Sequence, residues 1–389
     1  MVKKHIEQFP AMESHYVRKS TKKLYLESRL SIYKMYNLYK NDFCKNNNLD
    51  NPVSEKTYRI IFCNNYNYSF FKPKKDLCST CTKYEQASPT EKRELEAQYT
   101  FHLMRKNQCN EAKENAKIRC KNDPTFTMCS FDLQSVLKLP SSGVSVFYYS
   151  RKICVYNLTI YVGYGEKAHC FTWNELNGKR GSNEIGSTLF KFLQSLPSVV
   201  NHVSLFCDTC GGQNRNQNVA AVMLYAVQMI PNLKIIEIKF LESGHSHMEC
   251  DSMHSAIESA KKYESAFTMN DWARIFKSAR SFNPKNKKKG EYEVHILKYK
   301  DFFNLQELSS NLIKNRNKDE NGETVSWLNI KCLRFQKENP EAFFYRYDHS
   351  SDYKKVNISG RGRPKQLPIE LKSAYQQLLP ISSKKNLIF

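Results

Sequence analysis

Three acids that lie far apart in the chain are the residues best suited to chemistry. Asp132 and Asp208 each end a short apolar stretch that predicts a β-strand, and Asp251 opens a predicted helix. An acid at the carboxyl end of a strand, facing a polar turn, is where α/β sheets place their chemistry. The turn after Asp208 is Gly-Gly followed by Asn, Gln and Arg residues. The alternative is that Asp208 only caps the next helix.

Carboxylates that are brought together repel one another, and divalent oxygen-binding cations relieve this repulsion. Two Mg²⁺ or Mn²⁺ ions could activate a water or a 3′-hydroxyl and stabilise the leaving oxygen. We expect Asp132 to bridge both ions, Asp208 to bind one and Asp251 to complete the second. Glu258 is an alternative third acid, because it lies seven residues after Asp251 on the same helical face.

Three histidines accompany the last acid. His254 follows Asp251 by three residues and is therefore its neighbour on a helix. It could orient Asp251 or contact a phosphate. His245 and His247 precede the helix, and all three histidines could instead make hydrogen bonds at the start of the helix.

A Cys-x-x-Cys pair precedes a long polar helix that the sequence predicts from Pro89 to Lys121. Such a pair is typical of a tetrahedral zinc knuckle. His102 and Cys109 are seven residues apart on that helix and share a face. A structural Zn²⁺ site would then consist of Cys78, Cys81, His102 and Cys109. Two idle buried cysteines are an alternative, as is a redox pair, although no thioredoxin-like βαβ context surrounds the motif.

The charge of the chain points to a polyanionic partner. The 389 residues include 60 Lys and Arg against 38 Asp and Glu, which gives a net charge of +22. Such an excess favours nucleic acid, and a merely soluble basic protein is the alternative. No apolar segment approaches the roughly 20 residues of a membrane span, so we expect no membrane association. The 13 cysteines are an odd number, and we interpret them as mostly reduced, buried thiols.

The sequence pattern of residues 124–285 predicts three or four strands, after which helices and strands alternate in the order helix, strand, helix, strand, helix. Antiparallel strands followed by alternating units predict an α/β fold with a mixed sheet covered by helices. This is the order of an RNase H-like domain, whose first and fourth strands are neighbours and would carry Asp132 and Asp208. A helical, zinc-binding region would precede it.

Changes in composition and in hydrophobic periodicity along the chain predict five segments. They are a basic helical segment 1–50, a helical region 51–123 with the Cys-x-x-Cys pair, the RNase H-like domain 124–285, a mixed extension 286–350 and a basic tail 351–389.

Basic residues in loops are candidate DNA contacts. The tail contains Arg-Gly-Arg-Pro, which resembles an AT-hook core that can lie in a narrow A·T minor groove. A plain basic linker is the alternative, and the basic loop 283–290 could be a nuclear-import signal or simply solvated. The candidate DNA-binding residues are Arg180, Arg215, Lys287, Lys288, Arg361 and Arg363.

Two motifs resemble a known family. Asp208-Thr-Cys-Gly-Gly-Gln-Asn-Arg-Asn, followed by the stretch from Gly244 to Glu258, is similar to the catalytic core of transposon-derived proteins of animals, especially insects. Those proteins have DDE-type, RNase H-like transposase domains. Asp251-x-x-His254 resembles their Cys/Asp-x-x-His motif. Further stretches that resemble the family are Trp173-Asn-Glu175, Arg180-Gly-Ser-Asn-Glu184-Ile and Lys74-Lys-Asp-Leu-Cys78-x-x-Cys81.

The resemblance covers roughly residues 10–350. It implies a nuclear, transposase-like protein that binds DNA and cleaves and joins phosphodiesters with two divalent ions. We expect a homo-oligomer without a small-molecule substrate. The alternatives are a domesticated, non-catalytic DNA-binding or chromatin protein, and an RNase H-like nuclease that does not transpose.

Overall fold

The computed structural model describes residues 1–11, 24–27, 30–70, 78–142, 152–163, 167–280, 292–359 and 369–381. The chain divides into two compact units, Met1–Leu77 and Cys78–Phe389. The finer division into five segments stays a prediction. Several predicted features lie outside the described residues, namely the strand 144–149 and the candidate DNA contacts Lys287, Lys288, Arg361 and Arg363.

The first unit packs short elements around an aromatic core. Tyr58 is fully buried and its hydroxyl lies 2.9 Å from Nδ1 of His5. Its elements are α1 (Val2–Ile6), β1 (Leu24–Leu26), α2 (Ile32–Leu38), a π-helical turn (Tyr39–Phe43), α3 (Cys44–Asn46), α4 (Glu55–Asn65) and β2 (Tyr68–Phe70). The sequence predicts one helix over residues 21–41. This is wrong at β1, because pairing with the distant β2 outweighs the local helical period.

The second unit opens with α5 (Ser79–Gln86) and the long helix α6 (Pro89–Asn122). The predicted start of α6 is confirmed. The Ser88 hydroxyl accepts the Glu91 N–H, and the Glu91 carboxylate accepts the Ser88 N–H. This capping box, with proline at the first helical position, sets where the helix begins.

Ten strands of the described residues form one mixed sheet in the second unit. Its order is β12-β11-β10-β8-β7-β3-β5-β6-β9, with β4 paired to β5. The strands are β3 (Phe126–Leu133), β4 (Leu137–Leu139), β5 (Ile153–Val162), β6 (Ala168–Asn174), β7 (His202–Cys207), β8 (Ile235–Phe240), β9 (Glu293–Ile296), β10 (Cys332–Gln336), β11 (Ala342–Arg346) and β12 (Lys354–Asn357).

Helices flank this sheet, so the predicted α/β class with a mixed sheet is confirmed. The remaining helices are α7 (Ser182–Gln194), α8 (Gln217–Met229), α9 (Glu249–Ala260), α10 (Met269–Ala279) and α11 (Leu305–Leu312). The largest core cluster joins α7, α8 and α11 to the sheet. A second cluster joins α9 and α10 to the strands β4, β5 and β6. None of the described helices has both the length and the apolar character needed to cross a membrane.

Candidate functional site

Strand pairing places the first two predicted acids side by side. β3 and β7 are parallel neighbours, and Ser130 pairs with Phe206. Continuing this register by two residues sets Asp132 beside Asp208. Side chains two residues apart share a face of a strand, so both acids lie on the face of Ser130, whose hydroxyl donates to Glu249 of α9.

The polar cluster after β7 orients Asp208. The N–H of Cys210 donates to Oδ1 of Asp208 at 3.1 Å, and the side-chain amide of the buried Asn214 donates to the same oxygen. Asn216, and not Asp208, caps α8, because its side chain accepts the N–H of Val219. Asp208 is therefore held by its own loop through Oδ1.

The start of α9 brings a third acid and a histidine to Asp132. Asp132, Asp251 and His254 each offer a ligand atom, and these atoms lie within 4.8 Å of one another. Nδ1 of His254 is 4.0 Å from Oδ2 of Asp132, while its Nε2 is 2.8 Å from the Thr159 hydroxyl on β5. One oxygen of Asp251 accepts the N–H of Met248 in a capping box, which orients the carboxylate.

Burial, together with repulsion between the acids, shifts pKa values in this cluster. Burial, followed by the charges of Asp208 and Asp251, raises the pKa of Asp132 to about 7. Burial lowers the pKa of His254 to about 4, although Asp251 and Glu258 oppose this shift. Burial and neighbouring negative charge thus favour a neutral His254 imidazole and a protonated Asp132 carboxyl group when no cation is bound.

Glu258, the alternative third acid, takes a different position. It accepts from the amide of Gln134 at 3.4 Å and pairs with Lys261. Two helical turns beyond Asp251, it contributes charge at His254 but does not belong to the group within 4.8 Å. Between the two candidates, the structure brings Asp251 to Asp132.

Ion pairs with α6 hold α9 in place. Glu249 contacts Nζ of Lys113 at 2.9 Å and Nζ of Lys117 at 3.0 Å. Although burial alone raises it, these two cations lower the pKa of Glu249 to about 2. The first turn of α9, which carries Asp251, is thereby anchored to both α6 and β3.

A second cluster gathers two cysteines and two histidines. Sγ of Cys78 is 3.2 Å from Nε2 of His102, and Sγ of Cys81 is 3.4 Å from Nε2 of His245. The two Nε2 atoms are 3.1 Å apart. Two sulfurs and two imidazole nitrogens converging at these distances form a group that could hold a metal ion.

The fourth member of this cluster differs from the sequence prediction. The spacing on α6 selects Cys109, but the structure places His245 with Cys78, Cys81 and His102. Cys109 is buried in a neighbouring apolar cluster with residues of β3 and α9, and burial raises its pKa to about 11. Helical spacing predicts which residues share a face, but it does not reveal which loop covers that face. The signal for His245 is the His-x-His pair after Gly244.

Glu242 is a further residue that sequence reasoning missed. It is buried, and its Oε1 lies 3.5 Å from Nδ1 of His102 and 2.9 Å from Arg105. Its Oε2 lies 2.7 Å from Nζ of Lys331. A carboxylate on the far nitrogen of a histidine fixes the ring so that Nε2 faces a metal.

The thiol of Cys81 does not ionise readily by itself. Burial, and then the hydrogen bond with Cys78, raises the pKa of Cys81 to about 11. A bound cation is the partner that would favour the thiolate form.

Gly244 allows the turn that carries His245 to approach Cys78 closely. Its φ is +77°, and a Cβ at this position would lie 2.7 Å from Cα of Cys78. The N–H of His245 donates to the carbonyl of Glu242 across the same turn. The turn leads directly into α9, so one short segment joins the Cys/His cluster to the acid cluster.

The two described candidate DNA contacts differ in exposure. Arg180 is exposed, and its carbonyl accepts from the side chain of Gln213, so its turn borders the loop of Asp208. Arg215 is half-buried, donates to the carbonyl of Ile330 and lies 5.8 Å from the ring of Phe240. Arg180 is therefore freer to meet a polyanion than Arg215.

Comparison with known proteins adds one match. Residues 156–325 match a family described as a domain of unknown function, DUF7869. The matched range includes Asp208, His245, Asp251 and His254, and begins after Asp132. No curated protein matches the chain, and no solved structure matches it.

We predict that Gly244→Ala destabilises the protein by more than the φ angle alone explains. The new methyl group would collide with backbone of Cys78, whereas Gly322 has a similar φ of +82° with nothing within 4 Å. Gly322→Ala is therefore the matched control. We expect a cost of about 1–3 kcal/mol beyond that of the control. The measurement is chemical denaturation of both variants, and equal losses would contradict the close packing.

We predict that, without divalent cations, the wild-type protein loses stability between pH 6 and 8 and that Asp132→Asn loses less. The pKa of Asp132 is about 7 in the folded protein, whereas the ordinary pKa of an aspartate is 3.8. The folded state therefore holds a proton that the unfolded state has released, and that stabilisation disappears as pH rises through 7. Between pH 6 and 8, the free energy of unfolding of the wild type should fall by about 1.4 kcal/mol more than that of Asp132→Asn.

Denaturation at both pH values, in buffer free of divalent cations, measures this effect. His254 is present in both proteins, so its effect on the pH dependence of stability largely cancels when the two are compared. An identical pH dependence in wild type and Asp132→Asn would contradict the raised pKa.

Proposed function

We propose that this protein is a transposase-like DNA-binding protein with a metal-dependent site that cleaves and joins DNA phosphodiesters. The observation that carries the proposal is the convergence of Asp132, Asp208 and Asp251 from two neighbouring strands and a helix start. Uncompensated carboxylates in one place are costly, and a cation-dependent reaction explains why they are kept together.

The donor set fits a hard divalent cation. The three acids would supply oxygen ligands, because the hydrogen bonds that orient Asp208 and Asp251 use only Oδ1 of the former and Oδ2 of the latter among the described residues. Mg²⁺, or Mn²⁺ in its place, prefers such carboxylates together with water and phosphate oxygens. When bound, such ions supply Lewis-acid activation of a water or a 3′-hydroxyl and stabilise the leaving oxygen.

The chain's own residues would prepare this site. Asn214 and the N–H of Cys210 hold Asp208, and the capping hydrogen bond from Met248 holds Asp251. His254, neutral and hydrogen-bonded to Thr159, would orient Asp132 or contact a phosphate.

Charge and topology support the same proposal. The net charge of +22 favours a polyanion, and Arg180 is exposed beside the loop of Asp208. The strand order β8-β7-β3-β5-β6 is the order we associate with an RNase H-like domain, whose first strand lies between the second and the fourth. The resemblance of the motifs implies nuclear DNA as the partner and a homo-oligomer as the assembly.

We further propose that Cys78, Cys81, His102 and His245 hold a structural Zn²⁺. Two thiolates and two imidazoles are a common tetrahedral ligand set for zinc. Glu242 contacts Nδ1 of His102, the ring nitrogen that would not bind the metal. The ion would fasten the turn that precedes α9 to α5 and α6. Its role would be to hold Asp251 in place.

We predict that Asp208→Asn abolishes Mg²⁺-dependent nicking of the cognate transposon-end DNA while binding of that DNA persists. The substitution removes a ligand charge and keeps the shape of the side chain. Asp352→Asn, which changes an exposed acid, is the control and should nick like wild type. Gel analysis of labelled oligonucleotides measures nicking and joining, and an electrophoretic mobility shift measures binding.

Other outcomes separate the alternatives. Wild-type protein that binds the DNA ends but never nicks them with Mg²⁺ or Mn²⁺ is a non-catalytic DNA-binding protein. Cleavage without strand joining indicates a nuclease that does not transpose. Nicking that survives in Asp208→Asn would refute the assigned site.

We predict that purified protein contains zinc and that Cys81→Ser and His245→Ala lose the zinc of the Cys/His cluster. Cys109→Ser should keep it, because the Cys109 sulfur lies outside the cluster. Atomic absorption of the purified variants gives the metal content. If Cys109→Ser loses zinc and His245→Ala keeps it, the fourth ligand is Cys109 and not His245.

A further inference from the structure

A third group of ligating side chains lies on the edge strand β9 and its neighbour β6. His169, Glu293 and His295 each offer an atom within 4.8 Å of the others. Nδ1 of His169 is 3.3 Å from Oε2 of Glu293 and 3.4 Å from Nε2 of His295. Parallel pairing of the two strands, with His169 opposite Glu293, creates this arrangement.

This group is separate from the acid cluster. Thr159 contacts His254 and pairs with Cys170 of β6. His169 is the residue that precedes Cys170 on that strand. Adjacent residues of a strand face opposite sides of the sheet. The His169 ring packs against Phe192 of α7, on the side of the sheet opposite α9. A cation bound here would therefore not be one of the ions held by Asp132.

Hydrogen bonding alone satisfies this group poorly. A single proton on Nδ1 of His169 can serve either the Glu293 carboxylate or Nε2 of His295, but not both well. In the other tautomer, Nε2 of His295 carries the proton and donates to Nδ1 of His169, which leaves the Glu293 carboxylate without a donor inside the group. A metal ion would accept electron pairs from all three at once.

The surroundings leave room for a further ligand. His169, Glu293 and His295 line a cavity of about 310 Å³ whose wall also includes the apolar side chains of Phe192, Leu196 and Val200. Three protein ligands with a fourth position open to a cavity are the arrangement of zinc sites that bind water or a small ligand.

We propose that His169, Glu293 and His295 form a second transition-metal site that takes Zn²⁺ or a similar ion, with an open coordination position facing this cavity. Two imidazoles and one carboxylate suit Zn²⁺ and disfavour Mg²⁺, which prefers oxygen ligands alone. The ion would also clamp the four-residue edge strand β9 to the sheet.

The test measures Zn²⁺ uptake by the full-length protein in excess Mg²⁺, using equilibrium dialysis and metal analysis. We expect Glu293→Gln to bind this additional Zn²⁺ at least about tenfold more weakly than wild type, since even the loss of an outer-shell partner costs tenfold or more. Glu293 is exposed, so the substitution should leave folding intact. The matched control is Glu338→Gln, which changes another exposed glutamate and should bind like wild type.

His295→Gln provides a second variant, which should lose the additional Zn²⁺ completely while keeping the zinc of the Cys/His cluster. Added Zn²⁺ should raise the melting temperature of wild type and of Glu338→Gln more than that of Glu293→Gln. Equal Zn²⁺ affinity in wild type and Glu293→Gln would overturn the proposal, as would unchanged uptake by His295→Gln. In either case the group is an ordinary hydrogen-bonded one.

Discussion

The parallel pairing of β3 with β7 is the constraint on which the acid cluster depends. Its register sets Asp132 beside Asp208, and a slip of one residue would turn Asp132 toward the opposite face of the sheet. Apolar burial prevents that slip. Cys129 and Phe131 alternate with the polar residues of β3 and are fully buried under α7 and α8. The hydrophobic core thus holds two carboxylates together against their repulsion.

The third acid depends on charges carried by α6. This helix pairs with Glu242 through Arg105 and with Glu249 through Lys113 and Lys117, just before and at the start of α9. Both glutamates are at least partly buried, where an ion pair is screened less than in water. The same segment carries His245 into the Cys/His cluster. The two clusters are therefore connected through a short stretch of backbone, although their ligands have different chemistry.

Much of this arrangement could be predicted from local patterns. The capping box at Ser88 marks the start of α6, and the apolar stretches that end at Asp132 and Asp208 are strands. Other features could not be predicted, because they depend on contacts between distant parts of the chain. β1 is a strand only through its pairing with β2. His245 replaces Cys109 because the turn at Gly244, and not the next turns of α6, meets Cys78.

The sequence by itself determined the classes of residue and the elements that carry them. Acids at strand ends, a Cys-x-x-Cys pair, a net positive charge and an α/β order follow from spacing and composition, which the sequence contains without reference to the fold. Only the tertiary structure decided which of these side chains meet, because convergence depends on strand register and on the loops that cover each face. The choice of Asp251 over Glu258, the support of His102 by Glu242, and the meeting of His169 with His295 across two strands all arise at that level.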